Sequence, residues 1–138
     1  MLIGVPKEIK NHEYRIGITP SGVAELVADD HIVLVEKDGG SAVGFHNEDY
    51  LSAGAEVVDT AAEIFDRVEM IVKVKEPQPQ ECKMLHPHQT LFTYLHLAPD
   101  PEQTKLLTAS GATCIAYETV TSADGSLPLL TPMSEVAG

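Results

Sequence analysis

Lys75 and His96 stand at the ends of two apolar runs, Met70-Ile71-Val72-Lys73-Val74-Lys75 and Thr90-Leu91-Phe92-Thr93-Tyr94-Leu95-His96. In an open α/β sheet, ligands bind beyond the carboxyl ends of the strands. An imidazole takes and gives protons near neutral pH, and an ammonium holds a carboxylate or polarises a carbonyl. Arg15 follows the first apolar run, Leu2-Ile3-Gly4-Val5, after a polar loop and adds a planar fork matched to a carboxylate. Three basic side chains converging on one sheet edge would suit a small carboxylic acid. Set against this are plain surface roles, with Arg15 paired to Glu13 and Lys75 solvated at a strand end. Lys73 is expected to face away from Lys75, which leaves Lys75 alone at the exit.

The elements that must position these residues alternate along the chain. Thr19-Pro20 supplies a helix cap and a first-turn proline, with Val23, Leu26 and Val27 at helical spacing behind it. His31 to Val35 reads as a buried strand. Asn47 is placed to cap a short helix ending at Gly54, and Ala55 to Val58 gives a third strand. Thr60-Ala61-Ala62-Glu63 has capping-box spacing before Ile64 and Phe65. Glu76-Pro77 stops the fourth strand, and a short irregular or helical stretch spans Glu81 to Leu85. Asp100-Pro101 starts a helix that Gly111 closes, and Cys114 to Tyr117 makes a sixth strand. Strands separated by helical crossovers demand a mainly parallel sheet. The expected fold is therefore α/β and doubly wound, Rossmann-like or flavodoxin-like, with about six strands and helices on both faces. Thr131-Pro132 opens one more helix near Gly138, so the domain is expected to be cut within an element.

Composition narrows the partners. The chain has 138 residues, enough for one core, and 21 acids against nine Lys and Arg give a net charge of −12. That balance lacks the cationic surface that nucleic acid or anionic lipid requires. No run approaches the roughly 18 apolar residues of a membrane helix, and no secretory leader is evident. With Cys82 and Cys114 alone, reduced thiols in the cytoplasm are expected. Cys82, His86 and His88 form the one cluster resembling metal ligands, but Pro87 intervenes and no fourth ligand is near, so no metal is expected. Neither a Gly-x-Gly-x-x-Gly fingerprint, a phosphate loop nor a nucleophile elbow is present.

Five segments in order carry a resemblance: Ile3-Gly4-Val5-Pro6-Lys7-Glu8; Glu13-Tyr14-Arg15 with Thr19-Pro20-Ser21-Gly22-Val23; Lys73-Val74-Lys75-Glu76-Pro77; Tyr94-Leu95-His96-Leu97-Ala98; and Leu130-Thr131-Pro132-Met133-Ser134-Glu135-Val136-Ala137-Gly138. Together they resemble the N-terminal part of the alanine dehydrogenase family. Tyr14 sits where that family often has asparagine.

The resemblance implies oxidative deamination of L-alanine to pyruvate and ammonia, with NAD as hydride acceptor. It implies that Arg15 and Lys75 bind the substrate, that His96 exchanges protons with it, and that Ser134 touches NAD from the substrate-domain side. Residues 1–130 would then be an incomplete substrate domain. Residues 131–138 would begin the helix leading to an NAD-binding domain that holds most of the cofactor contacts. A homo-oligomer is expected for the complete enzyme. Two other readings are the nucleotide-binding component of a proton-translocating transhydrogenase, which shares the opening segment, and a stand-alone module that binds a 2-oxo acid.

Overall fold

The computed structural model describes residues 1–138. Six strands, β1 (Leu2–Val5), β2 (Ile32–Glu36), β3 (Glu56–Val58), β4 (Met70–Val72), β5 (Thr90–Thr93) and β6 (Thr113–Ala116), form one sheet in the order β3-β2-β1-β4-β5-β6. Every pairing is parallel. This is the strand order of the Rossmann fold and resolves the choice against the flavodoxin order. The helices are α1 (Pro20–Ala28), α2 (Asn47–Ser52), α3 (Ala61–Arg67), α4 (Pro79–Cys82), α5 (Pro101–Ser110) and α6 (Leu130–Ala137).

Local chemistry explains most helix ends. The Thr19 hydroxyl accepts from the Gly22 amide at 3.2 Å, and the Asp100 carboxylate accepts from the Gln103 amide at 3.0 Å, each before a proline in the first turn. Gly54 and Gly111 follow α2 and α5 with φ of 100° and 72°, where a Cβ would be strained. Three ends differ from expectation. His46, not Asn47, precedes α2 as its cap, because the Asn47 side chain is committed to Asp38, accepting from its amide at 2.9 Å and donating to its carboxylate at 3.0 Å. Thr60 caps α3 through the Glu63 amide at 3.3 Å, but the Glu63 carboxylate receives the Thr60 hydroxyl instead of completing the reciprocal backbone bond. Thr131 lies inside α6, its hydroxyl donating to the Leu127 carbonyl at 3.0 Å.

Side-chain alternation along the strands builds two cores. Across one face, the register aligns Glu56, Leu34, Gly4, Ile71, Leu91 and Cys114 in a single row. Over that row α3, α4 and α5 bury Ile64, Phe65, Val68, Cys82, Leu85 and Leu107. At its edge, Arg67 of α3 grips Glu56 with two bonds of 2.9 and 3.2 Å. On the other face α1 and α2 cover Val5, Val33 and Val35 with Val23 and Tyr50. Beyond β1 that second face is only partly covered. Leu129 and Met133 at α6 meet Val72, Phe92 and Tyr117 around a shallow cavity of about 230 Å³, and Ile115 of β6 remains 39% exposed.

Gly4 is the glycine most closely approached by its neighbours. A Cβ there would collide with Ile64 Cγ2 and lie 2.8 Å from Val68 Cγ1. The absence of a side chain is what lets α3 sit on β1. Gly4→Ala is expected to lower stability by about 1–3 kcal/mol through overpacking, read as a lower urea midpoint at unchanged slope. An unchanged midpoint would mean that α3 can move away without cost.

Candidate functional site at the sheet switch point

In this strand order, the chain departs in opposite directions from β1 and β4, so a crevice opens between their carboxyl ends. The segments lining it are Pro6–Glu8 after β1 and Lys73–Glu76 after β4. Its floor is ionic. Lys73 is 1% exposed, and its Nζ lies 3.0 Å from both Glu8 carboxylate oxygens and 3.2 Å from Glu81 Oε2 of α4. Glu8 also accepts from the Val74 amide at 3.2 Å and the Lys75 amide at 3.0 Å. Burial pushes the Glu8 carboxyl up, against the Lys73 charge and these bonds. Glu81 Oε1 accepts from the Gln78 amide at 2.9 Å, while Oε2 has only the Lys73 charge nearby.

The sheet places Lys75 and His96 close to one another. β4 ends at Val72, three residues earlier than the expected run, although the Lys73 amide still donates to the Phe92 carbonyl at 3.1 Å. Lys75 therefore sits on an irregular exit, with its carbonyl accepting from the Thr93 hydroxyl at 2.8 Å. Its Nζ lies 4.3 Å from the centre of the Tyr94 ring, in a cation–π contact. The His96 ring stacks on Tyr94 at 5.5 Å with 13° between the planes. β5 likewise ends early, at Thr93, and His96 turns into the left-handed region with φ of 44°. For a residue other than glycine such a backbone costs about 1–3 kcal/mol, so surrounding contacts must impose it.

Lys73 does not face away from Lys75 in the manner expected. Residues two apart share a side in a regular strand, and here both lysines meet Glu8, Lys73 through its ammonium and Lys75 through its amide. What separates them is burial. Lys73 is locked between two acids, whereas no carboxylate lies within salt-bridge distance of the Lys75 ammonium.

Arg15 lines a neighbouring cavity of about 550 Å³ with Lys7, Glu8, Lys10 and Glu13. The expected pair with Glu13 forms. Arg15 Nε and Nη2 donate to the two Glu13 oxygens at 2.9 and 2.7 Å, and the Arg15 amide donates to Oε2 at 3.0 Å. Burial pushes the Glu13 carboxyl up, but the Arg15 bonds and charge, helped by Lys75, hold it below the usual range. Tyr14 points outward at 60% exposure, with its hydroxyl 3.5 Å from His12 Nδ1. Ser134 is exposed on α6, and no hydrogen bond joins it to Arg15, Lys75 or His96.

Cys82 is buried and points at the Pro77 carbonyl, 3.8 Å away, with burial pushing its thiol up to about 11. His86 and His88 stack on each other at 5.6 Å. No three His, Cys, Asp or Glu side chains gather into a set that could hold a metal ion. The sequence reading missed Glu8 as a site residue. Its only signal was an acid three residues past an apolar strand, which many loops share.

The strand order defines an open, doubly wound α/β domain with a crevice at the switch point. The chain belongs to the family described as alanine dehydrogenase/PNT, N-terminal domain, whose sequence model matches residues 4–137. Over all 138 residues it is 57% identical to an alanine dehydrogenase of Methanococcus maripaludis and 54% identical to one of Bacillus subtilis. It spans 37% and 36% of those relatives' lengths, respectively. A solved structure of an L-alanine dehydrogenase superposes with a TM-score of 0.93 at 54% identity, covering 97% of this chain and 37% of that one. A transhydrogenase from Sinorhizobium meliloti shares the fold at a TM-score of 0.80 and 24% identity, over 86% of this chain and 35% of its own. No helix is long and apolar enough to cross a membrane.

Lys73→Met is expected to destabilise the chain by about 3–5 kcal/mol, because it leaves two buried carboxylates without their cation. The loss should shrink on acidification. A carboxyl raised by burial costs stability as pH rises through its folded value, and removing Lys73 takes away the charge that opposes that rise at Glu8. Urea unfolding at pH 5 and pH 8 checks this, and an equal loss at both values would refute it.

Proposed function

We propose that this chain is the substrate-binding part of an NAD-dependent L-alanine dehydrogenase, which converts L-alanine to pyruvate and ammonia. The observation that carries the reading is the Lys75–Tyr94–His96 stack at the exits of β4 and β5. It sets an unpaired ammonium beside a proton-exchanging imidazole, and the carboxylate fork of Arg15 lines the cavity that Glu8 also lines. Membership of the family and similarity to curated alanine dehydrogenases point the same way.

Arg15 commits Nε and one proton of Nη2 to Glu13, which leaves Nη1 for the substrate carboxylate. Lys75, held over Tyr94, is free to meet the carbonyl or imine end. NAD would supply the hydride acceptor when bound. This chain has no glycine fingerprint, so its residues suit only an outer contact with the cofactor. Ser134, exposed and with no intrachain bond from its hydroxyl, is the candidate for that contact. After hydride loss from the alanine α-carbon, water must add to the iminium carbon and ammonia must leave. His96 is positioned to accept the water's proton and to return one to the leaving amine. Anchoring the carboxylate holds the α-carbon in place during both steps. Residues 1–130 serve as the substrate part in this reading, and 131–138 lead toward the cofactor part. Assembly into a homo-oligomer and a cytoplasmic location fit this reading and are part of the proposal.

Joining the chain to the remaining part of the Methanococcus maripaludis relative is expected to give alanine-dependent NAD reduction. His96→Ala should abolish it while changing folding stability only modestly, by about 1 kcal/mol, since His96 is exposed but stacks on Tyr94 at a positive φ. Wild-type turnover in that variant would remove His96 from the chemistry. Lys75→Ala should weaken pyruvate binding by about 2–4 kcal/mol, measured by titration calorimetry. Pyruvate binding by a joined protein that never reduces NAD would favour a module that senses 2-oxo acids.

A further inference from the structure

Two adjacent residues just past β6 reach in different directions, one to each strand exit that carries a proposed functional side chain. The chain leaves Ala116 into a single 3₁₀ turn, Tyr117–Thr119. The Tyr117 hydroxyl donates to the Val74 carbonyl at 2.5 Å, and its ring packs against Phe92 of β5 with centroids 5.4 Å apart. The Glu118 carboxylate accepts from the Leu95 amide at 3.1 and 3.2 Å and from the His96 amide at 2.7 Å.

The peptide units involved decide what these bonds do. The Val74 carbonyl and the Lys75 amide belong to one rigid plane. Tyr117 holds that plane by its oxygen, and Glu8 holds it by its nitrogen at 3.0 Å. On the other exit, consecutive amides of an extended strand point to opposite sides, so one carboxylate cannot take both. Leu95 and His96 nevertheless direct their amides at the same acid, so the chain departs from extended geometry at Leu95, and the left-handed turn follows at His96; the two amides form a small anion nest. Glu118 fills that nest from 22 residues away. Gln103 of α5 secures the other side, donating to the Leu95 carbonyl at 3.1 Å.

We infer that Tyr117 and Glu118 are a two-residue clip of positioning residues that sets Lys75 against His96. The inference rests on the roles proposed above for those two side chains. Neither clip residue needs to touch substrate. One turn, fixed to the end of β6, determines where both exits lie, and the Lys75–Tyr94–His96 stack is the outcome at the side chains. The two halves should separate kinetically, since Tyr117 governs the anchoring lysine and Glu118 the proton-exchanging histidine.

Amide hydrogen exchange by NMR on the 138-residue chain tests the clip without any activity. Glu118→Gln should speed exchange at Leu95 and His96 by about tenfold or more, the order expected for losing a charged acceptor. The Lys75 amide should stay within about twofold of wild type. Tyr117→Phe should do the reverse, and Thr119→Ala, on the same turn, should move neither group. Unchanged exchange at Leu95 and His96 in Glu118→Gln, or a uniform rise through the whole chain, would overturn the inference. If Glu118→Gln unfolds the chain, the Tyr117→Phe arm decides the matter. In the joined protein, Glu118→Gln should lower kcat at constant pyruvate KM, and Tyr117→Phe should raise that KM at near-constant kcat. Equal effects of both variants on both constants would also count against the clip. Wild-type joined protein with no alanine turnover would remove the functional proposal and leave exchange to judge the clip.

Discussion

A buried ammonium between two carboxylates holds the switch point together. Lys73, Glu8 and Glu81 come from the exit of β4, the exit of β1 and the short α4, and all three are withdrawn from solvent. Taking such charges out of water is costly, and the cost is offset only where the remaining lone pairs find donors. Glu8 meets that condition by accepting two successive backbone amides besides the lysine. The ion pair thereby fixes the path of the chain as well as a pair of side chains. A loop that would otherwise carry free amides becomes a rigid floor for the crevice.

Rigidity at the floor has consequences above it. Because the backbone around Lys75 is already satisfied by Glu8, Thr93 and Tyr117, the Lys75 side chain is left to interact by itself. Its ammonium rests on an aromatic face where an acid would have neutralised it. Lys10, Arg67 and Lys73 are each paired with acids, as expected in a chain with 21 acids and nine Lys and Arg. Lys7, Lys37, Lys83 and Lys105 also lack an ion pair, and what distinguishes Lys75 is its seat on an aromatic ring at a strand exit. Arg15 is a middle case, since its pairing with Glu13 orients the fork and still leaves donors free.

The same logic links the fold to its incomplete cover. One face of the sheet is closed by α3, α4 and α5, with Gly4 allowing the closest approach. The other is closed over β1 to β3 by α1 and α2, while over β4 to β6 only α6 approaches, leaving Ile115 in solvent. The switch-point crevice thus sits between a finished half and a partly open half. The chain spans little more than a third of its curated relatives, and the open half is the side on which α6 lies.

The sequence by itself determined the features whose physics is local. Alternating apolar runs with helical crossovers required a parallel α/β sheet. The caps at Thr19, Thr60 and Asp100 and the glycines at 54 and 111 marked helix ends, because each acts within about one turn of its own position. Arg15, Lys75 and His96 were legible as basic residues past strands. Tertiary structure decided everything that depends on partners far along the chain. The choice of Rossmann order was one such matter, since crossovers alone allow either order. The fate of Lys73 was another, because Glu8, 65 residues away, accepts its protons. So was the holding of the Leu95 and His96 amides by Glu118, from beyond the next strand. No local pattern encodes those bonds, because they form only after the sheet has brought the exits of β1, β4, β5 and β6 to one edge.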